Sequence, residues 1–184
     1  MKDRNVYILL TDTGTVLTRI IKFFTKEPLN HASIAFDPEL FEVYSFGRKK
    51  PLNPLVAGFV KENIRSGIFT DATSAIYCRS ITEKQYQQMI SRIKKMEENK
   101  NDYKYNFLGL VAVLFNKEID RKNAYFCSHF VATILDESGI QITNKKPLSL
   151  VAPHDLQKLS CFQLIYQGKF SSYLDNIETK KQVV

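Results

Sequence analysis

No stretch of this 184-residue chain is apolar for long enough to cross a membrane. The longest run, Phe107 to Phe115, falls well short of the roughly 18 to 20 residues that a span requires. The opening residues, Met1 to Asn5, lead into Val6 to Leu10, a run too short for a signal-peptide apolar region and followed by no small-residue cleavage pattern. From these absences the sequence reads as a soluble chain that is not exported by that route, with the cytoplasm as its compartment. Cysteine is scarce too. Cys78, Cys127 and Cys161 are odd in number and widely spaced, which argues against a disulfide framework and for free thiols. Among three cysteines and three histidines there is no Cys-x-x-Cys and no His-x-x-x-His, so no metal is expected. Glycine-rich phosphate loops of both the P-loop and the dinucleotide kind are missing, so no cofactor is expected either. Without a Gly/Ser linker, low-complexity segment or internal repeat, residues 1–184 read as one domain with a polar tail at about 174–184.

What is present is apolar mass: 44% hydrophobic residues, with 13 Phe and 9 Tyr, supply ample area for a core. Lys plus Arg exceeds Asp plus Glu by 26 − 19 = +7, which favours anionic partners. Much of that surplus lies in Arg48-Lys49-Lys50, Lys145-Lys146 and Lys180-Lys181, which read as solvated turns. No basic helix is interleaved with aromatics, so no nucleic-acid partner is expected.

Hydrophobic periodicity predicts a mixed order of helices and strands. Val6 to Thr11 reads as a buried strand, followed by a helix carrying Val16, Leu17, Ile20, Ile21 and Phe24, capped by Asp12 or Thr13 and ended by Pro28. His31 to Phe36 and Phe41 to Phe46 read as a hairpin around the turn Asp37-Pro38-Glu39-Leu40. Residues 47–74, punctuated by Pro51, Pro54, Gly47, Gly58 and Gly67, read as a long irregular connection, a plain surface loop in preference to a lid, although it is placed where a lid over a cleft would lie. Ala75 to Ser80 is the next strand. Thr82 to Gln85 is a capping box opening a helix with Tyr86, Met89, Ile90, Ile93 and Met96 on one face. Asn106 to Asn116 reads as a buried helix, and Cys127, Phe130, Val131, Ile134 and Leu135 fall at helical spacing up to Gly139. Phe162 to Gln167 is the last predicted strand.

Chemistry concentrates at Cys127. A cysteine in the first turn of a helix meets aligned backbone dipoles and unsatisfied N–H groups, which favour the thiolate and so prepare a nucleophile. Such a thiol needs a base from elsewhere in the fold, and His31 on its predicted strand is the candidate. His129, two residues past Cys127, points away on a helix, and His154 sits in a Pro-bounded loop. Cys78 and Cys161, each within strand-like sequence, read as packing residues. Asp12-Thr13-Gly14 matches the aspartic-protease triplet, but that chemistry needs two carboxylates sharing a proton, so a capping and turn role is the better reading.

Asn30-His31-Ala32-Ser33-Ile34, the strand Phe41-Glu42-Val43, the string Tyr125-Phe126-Cys127-Ser128-His129-Phe130-Val131 and the loop Pro153-His154-Asp155-Leu156 occur in an order that resembles the circularly permuted NlpC/P60-type, papain-like cysteine hydrolases. The resemblance covers most of the chain. It implies an α+β fold in which a small antiparallel sheet packs against helices, with the histidine preceding the cysteine. It also implies a cysteine peptidase or amidase that uses Cys127 and His31 through a thioester, on a peptide or cell-wall-type peptide. Lipid acyl transfer or hydrolysis, as in the lecithin retinol acyltransferase-like relatives, and a non-catalytic binding module on the same fold are the alternatives. The third, orienting residue is open between Glu42, suggested by the resemblance, and Tyr44. If Pro38-Glu39 forms the turn, facing residue numbers sum to 77, which sets Glu42 opposite Ala35 and His31 opposite Phe46, about 13 Å from Glu42 along the strand. Under that register Tyr44 is the nearer polar side chain.

Overall fold

The computed structural model describes residues 4–14, 22, 26–50, 53–142 and 146–182. The helix expected after the first strand lies outside these residues. The centre is a six-stranded antiparallel sheet of β1 (Arg4–Asp12), β2 (His31–Ala35), β3 (Val43–Lys50), β4 (Asn53–Lys61), β5 (Thr73–Ile81) and β8 (Gln163–Lys169), in the order β4-β3-β2-β1-β5-β8. A second, two-stranded parallel ribbon joins β6 (Lys104–Tyr105) to β7 (Ala124–Tyr125). Among the described residues the strands are accompanied by the helices α1 (Glu83–Glu98), α2 (Phe107–Leu114), α3 (Cys127–Glu137), α4 (Pro153–Gln157) and α5 (Phe170–Gln182). The fold is therefore α+β.

Alternation along the strands sends side chains to two cores. Val6, Ile8 and Leu10 of β1 join Met89 and Ile93 of α1, Phe130 and Ile134 of α3 and Leu156 of α4 on one face. Tyr7 and Leu9 join Phe69, Phe170, Tyr173 and Leu174 on the other, under α5. The capping box of α1 is present: Thr82 Oγ1 accepts from the Gln85 amide at 3.2 Å, and Gln85 Oε1 accepts from the Thr82 amide at 3.1 Å. Gly139 closes the far end of α3 at φ +76°, a left-handed conformation glycine adopts without strain.

Four local expectations fail, each for a physical reason. Residues 47–74 are not a long loop, because β3 runs on to Lys50 and β4 follows, leaving a short 3-10 turn at Gly67–Phe69 before β5. Pro54 hid β4 from a periodicity reading, but β4 is an edge strand, where a sheet tolerates proline. Of the expected polar tail at 174–184, residues 174–182 are instead part of α5, held by buried Tyr173 and Leu174, with Tyr173 Oη donating to Pro38 O at 3.0 Å. The helix of Asn106 to Asn116 is formed but not buried: Gly109 and Ala112 face inward, while Leu108, Val111 and Phe115 are 60%, 53% and 67% exposed. Cys161 is exposed rather than packed. Asp12 does take the turn role, its carboxylate accepting from the Gly14 amide at 3.0 Å and from Lys22 at 2.9 Å.

Candidate active site

The site forms where two neighbouring strands part. β2 and β3 pair only through Ile34–Tyr44 and Ala35–Val43, so their facing numbers sum to 78 and the pairing stops well short of His31. Past that point β2 stays on β1, with Thr11 opposite His31, while β3 stays on β4. The fork frees backbone groups of β2 from the ladder. One of them, the Ala32 amide, hydrogen-bonds the Cys127 thiol, as does the Ser128 amide in the first turn of α3. Cys127 opens α3 directly after Phe126, so its own N–H belongs to the set that has no acceptor within a helix.

His31 lies between a thiol and a carboxylate. Its ring hydrogen-bonds the Cys127 thiol, and its Nε2 lies 2.8 Å from Glu62 Oε1, which leaves Nδ1 for the sulfur. Glu62, just past the end of β4, is a carboxylate partner of His31 that the sequence reading missed. Its side chain is 6% exposed and accepts from Ser33 Oγ at 2.5 Å and from Ser45 Oγ at 2.6 Å, so β2 and β3 both anchor it. Glu42 and Tyr44, the two candidates for this role, are engaged elsewhere: the Tyr44 phenol donates to Glu42, and Glu42 accepts from Lys61 at 2.6 Å. The register explains the miss, because the fork carries the far end of β3 away from His31 and the next hairpin returns Glu62 to it.

The electrostatics of the group favour charge inside the protein. Burial opposes protonation of His31, but the adjacent Glu62 carboxylate and the Cys127 sulfur outweigh it and hold the imidazole well above its ordinary value. Burial likewise opposes ionisation of both partners. For Cys127, the hydrogen bond and charge of His31, with the Ala32 and Ser128 amides, bring its thiol below the ordinary cysteine value. For Glu62, His31 and the two serines bring the carboxyl below the carboxylate range. All three shifts therefore run toward the charged forms: thiolate, imidazolium and carboxylate.

A cavity of about 490 Å³ opens beside this group. His31 and Glu62 line it together with Phe46, Phe69, Tyr105 and Phe107, and with Arg48, Lys49 and Lys61. Cys127, 3% exposed, lies one hydrogen bond beyond the imidazole. Tyr105 is the second residue that sequence reasoning passed over; burial, then the nearby Cys127 sulfur, keeps its phenol protonated. Compared with protein-family models, with curated proteins and with solved structures, the chain matches none. The chemistry must be read from these side chains alone.

The remaining candidates stand apart from the thiol. His129 is buried against Tyr125 and Phe126, with ring centroids at 4.9 and 5.5 Å, and burial lowers its proton affinity. His154 sits in α4 beside Asp155 at 3.5 Å. Cys78 is half-buried, with burial raising its thiol. Among the described residues no cluster of three His, Cys, Asp or Glu side chains is placed to hold a metal, and no helix is long and apolar enough to cross a membrane.

Proposed function

We propose that the protein is a cysteine hydrolase cleaving an amide or related acyl bond, with Cys127 as nucleophile, His31 as acid and base, and Glu62 orienting His31. The observation that carries this reading is the continuous hydrogen-bonded row from the Cys127 sulfur through the imidazole to Glu62, with the thiol lowered and the imidazole raised. A buried structural cysteine has no need of a charged partner. The placement of the cysteine at a helix start, with the histidine on a strand earlier in the chain, supports a permuted papain-like arrangement.

In this mechanism the Cys127 thiolate attacks the carbonyl carbon, and the developing oxyanion meets the Cys127 N–H at the head of α3. The C–N bond breaks as the His31 imidazolium gives its proton to the leaving amine, which leaves a thioester and a neutral imidazole. His31 then takes a proton from water, the hydroxide adds to the thioester, and collapse releases the carboxylic acid with the thiolate and imidazolium restored. A peptide amide is the leading substrate. The exposed apolar face of α2 beside the cavity favours a second reading, a lipid acyl bond. Three free cysteines support a reducing compartment such as the cytoplasm.

The test is turnover of activated acyl esters and of peptide amides by the wild type, Cys127→Ala and His31→Ala. The expected result is an acyl-enzyme at Cys127, seen as a mass increment, and loss of turnover in both variants. Equal turnover in wild type and Cys127→Ala would refute Cys127 as the nucleophile, and no turnover or acyl-enzyme in the wild type would refute the reading and leave a binding module.

A further inference from the structure

Helix α2 presents a surface that the proposed chemistry does not explain. Its eight residues, Phe107–Leu114, carry no charge, and Leu108, Val111 and Phe115, spaced three and four apart, form one ridge in solvent. Surface helices of globular proteins turn such a stripe inward. Here α2 turns in Gly109 and Ala112 instead, and its orientation is fixed. The buried Asn106 caps it, accepting from the Gly109 amide at 3.0 Å and donating to Ile119 O at 2.9 Å. A Cβ on Gly109 would fall 2.4 Å from Asn106 Nδ2, so the close seating of the helix needs glycine there.

We propose that this ridge docks the protein onto an anionic lipid surface. Charge supports that occupant. Exposed Lys104 stands before the helix and Lys117, Arg121 and Lys122 follow it, against Glu118 and Asp120, on a chain of net charge +7. An exposed apolar ridge with cations on either side of it in the chain combines the two contributions to interfacial binding, apolar burial and attraction to anionic headgroups. A second copy of the chain fits less well. The same cations would face each other, and three side chains fall far short of the roughly 800 Å² per partner of a stable interface. The ridge is also continuous with the cavity, because Phe107 of the same helix lines it. Docking through α2 therefore sets the cavity mouth against the acyl region of the bilayer. Docking itself does not depend on the hydrolase reading; only the substrate consequence does.

The test is co-sedimentation of the full chain with vesicles of phosphatidylcholine alone, and of phosphatidylcholine with about one-third phosphatidylglycerol. The expected result is binding to the anionic vesicles that weakens with salt and falls at least tenfold in the Leu108→Ser/Val111→Ser/Phe115→Ser variant. A second variant, Lys117→Gln/Arg121→Gln/Lys122→Gln, leaves every apolar contact in place and is expected to lose the preference for anionic over neutral vesicles. Cys127→Ala should bind as the wild type does, so failure of the catalytic reading leaves this result intact. Absence of binding to both vesicles would overturn the proposal, as would a dimer in sedimentation velocity that the ridge variant converts to monomer.

Discussion

Replacing Glu62 by Gln isolates what the carboxylate charge does for the thiol. The amide keeps the size of the side chain and an oxygen facing His31, so the fold is retained while the negative charge is removed. In the native protein that charge lies 2.8 Å from Nε2, 6% exposed, and holds His31 as imidazolium, which in turn stabilises the Cys127 thiolate. A hydrogen bond to a charged partner contributes about 1.5–3 kcal/mol. One pKa unit corresponds to about 1.4 kcal/mol, so the onset of Cys127 ionisation should rise by about one to two units. The assay is the rate of iodoacetamide alkylation at Cys127 against pH, read by mass spectrometry, with Cys78 and Cys161 as internal references. On the rising limb of the profile, below the wild-type midpoint, the variant should react about ten- to a hundredfold more slowly. A thermal melt run alongside shows that the variant is folded. Superimposable alkylation profiles for the wild type and the folded variant would refute the claim that Glu62 acts on the thiol through His31.

Three further outcomes are expected. His31 binds its proton more tightly when folded, so its stabilisation is complete below the ordinary value of 6.5 and is lost as pH rises through the raised folded value. Glu62 is the reverse, with stabilisation complete above 4.5 and lost as pH falls through its lowered folded value. Cys127 opposes the alkaline loss, since its lowered value adds stability as pH rises toward 9.0. The melting temperature of Cys127→Ala should therefore decline above pH 6.5 more than that of the wild type, and the decline should vanish in Cys127→Ala/Glu62→Gln. Phe46→Ala removes a fully buried ring packed at 5.1 Å on Tyr125 and 5.2 Å on Phe130, and should cost about 3–5 kcal/mol by denaturant titration. Thr82→Ala breaks the cap of α1 and should cost about 1 kcal/mol, with a fall in melting temperature of about 2–4 °C, while Thr82→Ser should retain most of the stability.

Where local chemistry decides an element, the sequence was readable. The Thr82 to Gln85 box, the period of α1 and α3 and the stop at Gly139 are all set within a few residues. The thiol at the head of α3 and a histidine opening β2 were legible for the same reason. The third group was not, because it depends on where β2 and β3 part, and strand divergence leaves no mark in a hydrophobic pattern. A facing sum of 77 assumed pairing that continues to His31, whereas the observed pairing ends after two residue pairs. The signal that was available was the apolar run Leu55 to Val60, part of an edge strand despite Pro54, ending two residues before Glu62. For α2, apolarity was read as burial, and composition alone does not say which side of a helix the rest of the fold covers.

The fork between β2 and β3 also imposes an order on when the sulfur becomes reactive. His31 and Glu62 are synthesised first and Cys127 much later, and the amide of Ala32 that steadies the sulfur lies on the earlier strand. Until α3 seats against that strand, Cys127 is an ordinary thiol with no cation beside it. The lowered thiol is thus a product of the packing of α3 on β2, so a chain in which those two elements have not met carries no more reactive sulfur than its other two cysteines do.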